Sequence, residues 1–198
     1  MRILGLVLGA LMVLGGCAAP QQPFASDESI AAVSFRDEGP RELKLMTMVN
    51  NRSGAGAHTS LLISASERVI FDPAGSFKAS GIPERNDVLF GITPNAEQAY
   101  ISAHARSTHR VIIQTVQVSP QQAEMAYRLA LQAGPVAGAF CASSTAALLS
   151  QIPGFEGLRS TFYPVNLMEQ FATVPGVQTI EYREDDDPSL QAALDQLN

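Results

Sequence analysis

From Leu43 to Val49 the side chains of Leu43, Leu45, Thr47 and Val49 alternate with Lys44, Met46 and Met48, which is the two-residue period of a β-strand. Asn50 to Gly56 is turn material. The β-rich runs His58–Ser64 and Arg68–Asp72 then flank the short connection Ala65-Ser66-Glu67, which predicts a hairpin. Phe77 to Asn86 contains Gly81 and Pro83 and reads as a loop, Asp87 to Ile92 as a strand, Asn95 to Ser102 as a short helix, and His109 to Val118 as a long alternating strand. Ser119-Pro120-Gln121-Gln122 combines an N-cap serine, a proline at the first helical position and a reciprocal capping glutamine. The helix it starts should run to Ala133, ahead of Gly134-Pro135. A further helix begins near Cys141 and stops before Pro153-Gly154, another covers Pro164 to Ala172, and Val177 to Tyr182 forms a last strand. Strands mostly precede helices, so the order predicts an α+β domain over residues 43–182, an antiparallel sheet with helices packed on one side.

The first 20 residues follow a different rule. Arg2 precedes an uncharged apolar run from Ile3 to Gly16 that stops at Cys17, too short for the ~20 residues of a membrane-spanning helix but shaped like a signal peptide. Leu14-Gly15-Gly16-Cys17 resembles the lipobox of bacterial lipoproteins; a short buried helix is the plainer alternative. The resemblance implies a signal peptide over residues 1–16, cleaved before Cys17, and acylation of Cys17. Ala18, rather than Asp, follows the cysteine, so the implied partner is the outer membrane, with the domain anchored through Cys17 and facing the periplasm. Residues 17–42 mix Pro, Gln, Ser and charge and read as a tether, with one short strand around Ile30 to Ser34. Residues 183–198, beginning Arg183-Glu184-Asp185-Asp186-Asp187, read as a solvated acidic tail.

Composition narrows the function. With 13 Lys and Arg against 19 Asp and Glu, a net charge of -6 and no basic cluster after residue 20, the chain lacks the cation density that phosphate binding requires, so no nucleic-acid partner is expected. The length of 198 residues and 46% hydrophobic content fit one globular domain plus extensions. Of the two cysteines, Cys17 goes to the anchor. Cys141 is then a lone thiol in an oxidising compartment, either a small buried hydrophobe or a reactive group.

At the start of a helix, unpaired N–H groups and the helix dipole stabilise a thiolate. Thr145, Leu148, Leu149 and Ile152 share the helix face of Cys141, which turns the sulfur toward the sheet, where a base could meet it. His58, His104 and His109 are the available imidazoles. His58 opens a strand after a Gly-rich turn, and hairpin pairing brings Asp72 near it, so that a carboxylate can orient the imidazole while the other nitrogen faces the thiol. Asp72 before Pro73 also has an ordinary use as a turn residue. The cysteine and histidines offer no close ligand pair, so neither zinc nor another cofactor is expected.

His58-Thr59-Ser60-Leu61-Leu62-Ile63, the returning run Glu67 to Asp72, the later Phe140-Cys141-Ala142-Ser143 and Thr161 to Leu167 together resemble the circularly permuted papain-like cysteine hydrolases of the NlpC/P60 superfamily, which include lecithin:retinol acyltransferase-like proteins. The likeness spans roughly residues 43–170 and rests on order and spacing. It implies a permuted papain-like fold with Cys141 as nucleophile, His58 as base and Asp72 as its orienting residue, acting on an amide or ester; peptidoglycan and lipid acyl groups are the implied substrate classes. Phe140 stands where many relatives carry Asn, and no oxyanion side chain is evident, although the Cys141 N–H can serve. A non-catalytic binding or scaffolding lipoprotein on the same fold is the alternative.

Overall fold

The computed structural model describes residues 24–185. The expected signal peptide, the anchor residue Cys17 and the acidic tail beyond residue 185 lie outside the described residues. Strands β1 (Glu42–Asn50) and β2 (Gly56–Ser64) pair antiparallel at the centre of the sheet. Strands β3 (Arg68–Phe71), β4 (Glu84–Arg85) and β5 (Val88–Leu89) extend it on one side, and β6 (His109–Gln117) and β7 (Gln178–Tyr182) on the other. The result is a seven-stranded open sheet in the order β4-β5-β3-β2-β1-β6-β7, antiparallel at every pairing.

Helices cover both faces of this sheet, not the single face expected. Helix α2 (Pro94–His104) puts Tyr100, Ile101 and Ala103 against Met46, Met48, Leu62 and Ile70. Helices α3 (Pro120–Gln132), α4 (Cys141–Leu149) and α5 (Pro164–Phe171) pack Ala126, Leu149 and Phe171 on Leu43, Leu45, Leu61 and Ile63. Because both faces are covered, β1 and β2 are buried at consecutive positions rather than alternate ones, as in Leu45 to Val49 and Thr59 to Ser64. At ~1.5–3 kcal/mol for each fully buried large apolar side chain, these two layers are the main source of stability.

Capping chemistry accounts for the helix starts. Ser119 Oγ accepts from the Gln122 N–H at 3.2 Å while Gln122 Oε1 accepts from the Ser119 N–H at 2.8 Å, the reciprocal box expected. Residues Asp27–Val33 form a helix, α1, in place of the expected strand around Ile30. Ser26 caps it, and Asp27 and Glu28 in its first turn complement the dipole, which outweighs the β preference of Ile30 and Val33. The segment expected as a tether is partly docked on the domain: the Ala25 N–H donates to the Glu84 carbonyl at 3.0 Å, and the Arg68 N–H to the Phe35 carbonyl at 2.7 Å. The strand expected over Asp87 to Ile92 shrinks to β5. Asn86 and Asp87, at φ 52° and 60°, form a two-residue hairpin turn between β4 and β5.

Candidate active site

His58 owes its placement to a sheet irregularity. Met48 pairs with His58 but Val49 with Gly56, so Ala57 is an extra residue, a bulge that bends the strand immediately before the imidazole. Gly56 lets the start of α5 press on this point, since a Cβ there would lie 2.7 Å from Pro164 Cβ.

Asp72 follows β3, whose register pairs Phe71 with Leu61 and thereby brings Asp72 to the same face as His58. The chain then turns: the Gly75 N–H donates to the Asp72 carbonyl at 2.9 Å, with Ala74 at φ 58°. Gly75 is required because a Cβ would stand 1.9 Å from Asp72 Oδ2. Asp72 Oδ1 lies 2.7 Å from His58 Nε2 and accepts a second bond from the Tyr100 hydroxyl at 2.6 Å. The carboxylate is 3% exposed, so both bonds matter: a buried acceptor that loses a donor keeps its desolvation cost of about 1–3 kcal/mol.

Cys141 arrives from the opposite face. It is the first residue of α4, after Phe140, and is 7% exposed. Because β3 leaves the sheet after Phe71, the edge of β2 at Thr59 has no strand beside it, and the thiol occupies that gap. The His58 side chain and the backbone of Thr59 and Ala142 are the neighbours that act on its charge. Asp72 occupies Nε2, which leaves Nδ1 of His58 for the sulfur.

The electrostatics follow from these contacts. Burial raises the Cys141 thiol, but the His58 hydrogen bond and charge, followed by the two N–H groups, reverse this and hold it below the ordinary range. Burial lowers His58; the charge and hydrogen bond of Asp72, then those of Cys141, overturn that and lift it to about 10. Asp72 is pushed up by burial and pulled down further by His58, so it stays ionised. Each shift favours the charged form of its group: thiolate at Cys141, imidazolium at His58 and carboxylate at Asp72.

The other two histidines take different places. His104 ends α2, its Nδ1 lies 2.7 Å from the Tyr100 carbonyl, and burial drives it down to about 4, so it is neutral. His109 opens β6 opposite Asn50. His58, Gly75, Ser76, His104, Arg106 and His109 line a cavity of about 330 Å³ on the α2 side of the imidazole. A larger groove of about 650 Å³, between α1 and α3, is lined by Ile30, Phe90, Tyr127 and Leu131 and contains none of the thiol–imidazole residues. Beside the thiol, Phe140 meets Phe162 edge-on at 5.3 Å between centroids, and the two rings are 45% and 59% exposed. Among the described residues no three His, Cys, Asp or Glu side chains gather as a metal site.

The structure thus brings Cys141, His58 and Asp72 together from three chain segments. Tyr100 completes the group and is absent from the sequence reading. Its signal was Tyr100 and His104 four apart on one helix face, visible only once α2 is known to cover the sheet at Asp72. No family model matches the chain, and neither a curated protein nor a solved structure shows a significant similarity to it.

Proposed function

We propose that this protein is a lipid-anchored cysteine hydrolase or acyltransferase of the cell envelope, on a permuted papain-like fold, acting on an amide or ester. The observation that carries the reading is the juxtaposition of Cys141 with His58, whose Nε2 lies 2.7 Å from Asp72 Oδ1. The order of His strand, returning strand and later Cys helix supports the permuted papain-like assignment, and the lipobox-like leader supports the anchor at Cys17.

In this mechanism the Cys141 thiolate attacks the carbonyl carbon and forms a C–S bond. The developing oxyanion is met by the Cys141 N–H at the start of α4, where helix amides have no intrahelical partner. Collapse breaks the C–N or C–O bond, and the leaving atom takes the proton from His58 Nδ1. Neutral His58 then deprotonates water or an acceptor hydroxyl or amine, which attacks the thioester and returns the thiolate. Asp72 holds the ring through Nε2, and Tyr100 holds Asp72.

The low exposure of Cys141 favours a second reading, a binding or scaffolding lipoprotein that retains the fold without turnover. One experiment separates the two. The protein and its Cys141→Ala variant are incubated with peptidoglycan stem-peptide amides and with long-chain acyl esters. Turnover of one class, abolished by Cys141→Ala, is the expected result; no turnover of either, with Cys141 inert to thiol-directed electrophiles, rejects the enzyme.

A further inference from the structure

The nucleophile and its partners come from opposite faces of the sheet, so their separation depends on two loops: the Asp72 turn and the loop from Gly134 to Phe140 that enters α4. Each contains an alanine in the left-handed region, Ala74 at φ 58° and Ala139 at φ 70°. Alanine adopts that conformation reluctantly, so each loop needs an external tie to hold it. Both ties end on one residue. Asp87 Oδ2 accepts from the Ala74 N–H at 3.1 Å and from the Val136 N–H at 2.7 Å. The Asp87 carbonyl also accepts from the Asp72 N–H at 2.7 Å. Its own place is set by the Asn86-Asp87 turn, where two successive positive φ angles aim the side chain off the sheet edge toward both loops.

We propose that Asp87 is a positioning residue for the thiol–imidazole pair, holding the Asp72 turn and the loop into Cys141 at a fixed separation through a single carboxylate oxygen. This rests on the thiol–imidazole reading above and adds a further chain segment to it. Asp87 touches none of the reacting atoms. It acts because a displacement of either loop lengthens the contact between Cys141 and His58, and a thiol that loses the imidazolium returns toward its ordinary pKa of about 8.5. A general stabilising role would lower the melting temperature and leave the thiol unchanged.

The test is the pH dependence of iodoacetamide alkylation at Cys141 in the full chain, read by peptide mass, for the parent protein, Asp87→Ala, Asp87→Asn and His58→Ala. Asparagine keeps one acceptor oxygen for both N–H groups, whereas alanine keeps none. The parent and Asp87→Asn are expected to alkylate well on the acid side. Asp87→Ala, with its cooperative thermal transition intact, should be slower by about tenfold or more near pH 6 and should recover toward the parent rate near the ordinary thiol pKa. An acid limb that disappears in His58→Ala but persists in folded Asp87→Ala overturns the positioning role alone. An acid limb absent from the parent, or unaffected by His58→Ala, overturns the thiol–imidazole reading and the role of Asp87 with it. If Asp87→Ala loses its cooperative transition, Val136→Pro removes one of the two N–H groups and leaves Asp87 in place. It carries the same expectation, and an unchanged acid limb in it overturns the proposal.

Discussion

The two faces of the sheet are built from different materials. On the α4 face, Leu43, Leu45, Leu61 and Ile63 meet Ala126, Ala142, Leu149 and Phe171, a layer whose stability comes from apolar packing. On the α2 face, Met46, Leu62 and Ile70 meet Tyr100 and Phe77, and the titratable groups Asp72, Tyr100 and His104 are buried at its end. Each of those polar groups has a partner: Asp72 has His58 and Tyr100, and His104 has the Tyr100 carbonyl. The apolar face carries the nucleophile and the polar face carries the groups that set its charge. They meet only because β3 is four residues long and leaves the edge of β2 open at Thr59.

Changes on the polar face should therefore alter the chemistry, and changes in the apolar packing away from Cys141 and its loop should alter stability without altering the chemistry. The largest effect is expected at His58. His58→Ala removes the imidazolium and should slow alkylation of Cys141 near pH 6 by on the order of a hundredfold, as the thiol moves back toward about 8.5. Leu149→Ala, at the buried end of α4, is expected to lower the unfolding free energy by about 2–5 kcal/mol in denaturant titrations while leaving the alkylation profile in place. A profile that moved with Leu149 would break the division between the faces.

His104 sharpens the comparison through pH. Its folded pKa is about 4 against 6.5 for the free side chain, so its neutral form stabilises the fold above about pH 6.5 and that contribution is lost as pH falls toward 4. The full loss is at most about 3 kcal/mol, and His104→Gln should flatten the acid limb of the stability curve. His58 has the opposite sign: with a folded pKa raised to about 10, its contribution is complete below 6.5 and fades as pH rises through 10. Tyr100→Phe should be the smallest change, about 1–3 kcal/mol from the lost donor to Asp72, with an upward shift in the Asp72 titration followed by NMR.

How far the sequence reveals this division depends on the range of the forces involved. Cys141 at a helix start, the hairpin that brings Asp72 near His58 and the Ser119 cap follow from spacing and turn residues within a few positions, and all were legible. The second helical layer was not. Met46 and Met48 look like the solvent side of a half-buried strand until α2 is placed over them, and α2 itself shows only a weak apolar stripe. Tyr100 was hidden for the same reason, because its role depends on a contact with Asp72 across 28 residues of chain. The bulge at Ala57 and the gap left by β3 are properties of strand pairing, which no local pattern announces.

Cys141 as a thiolate held by the His58 imidazolium is the claim on which the account depends. The most direct measurement is the pH titration of thiolate ultraviolet absorbance, taken as the difference between the parent protein and Cys141→Ala so that Cys17 and the tyrosines cancel, and repeated in a His58→Ala background. A Cys141 midpoint below about 8.5 is expected in the parent, with a return to about that value without His58. A midpoint at the ordinary thiol value in both backgrounds would contradict it.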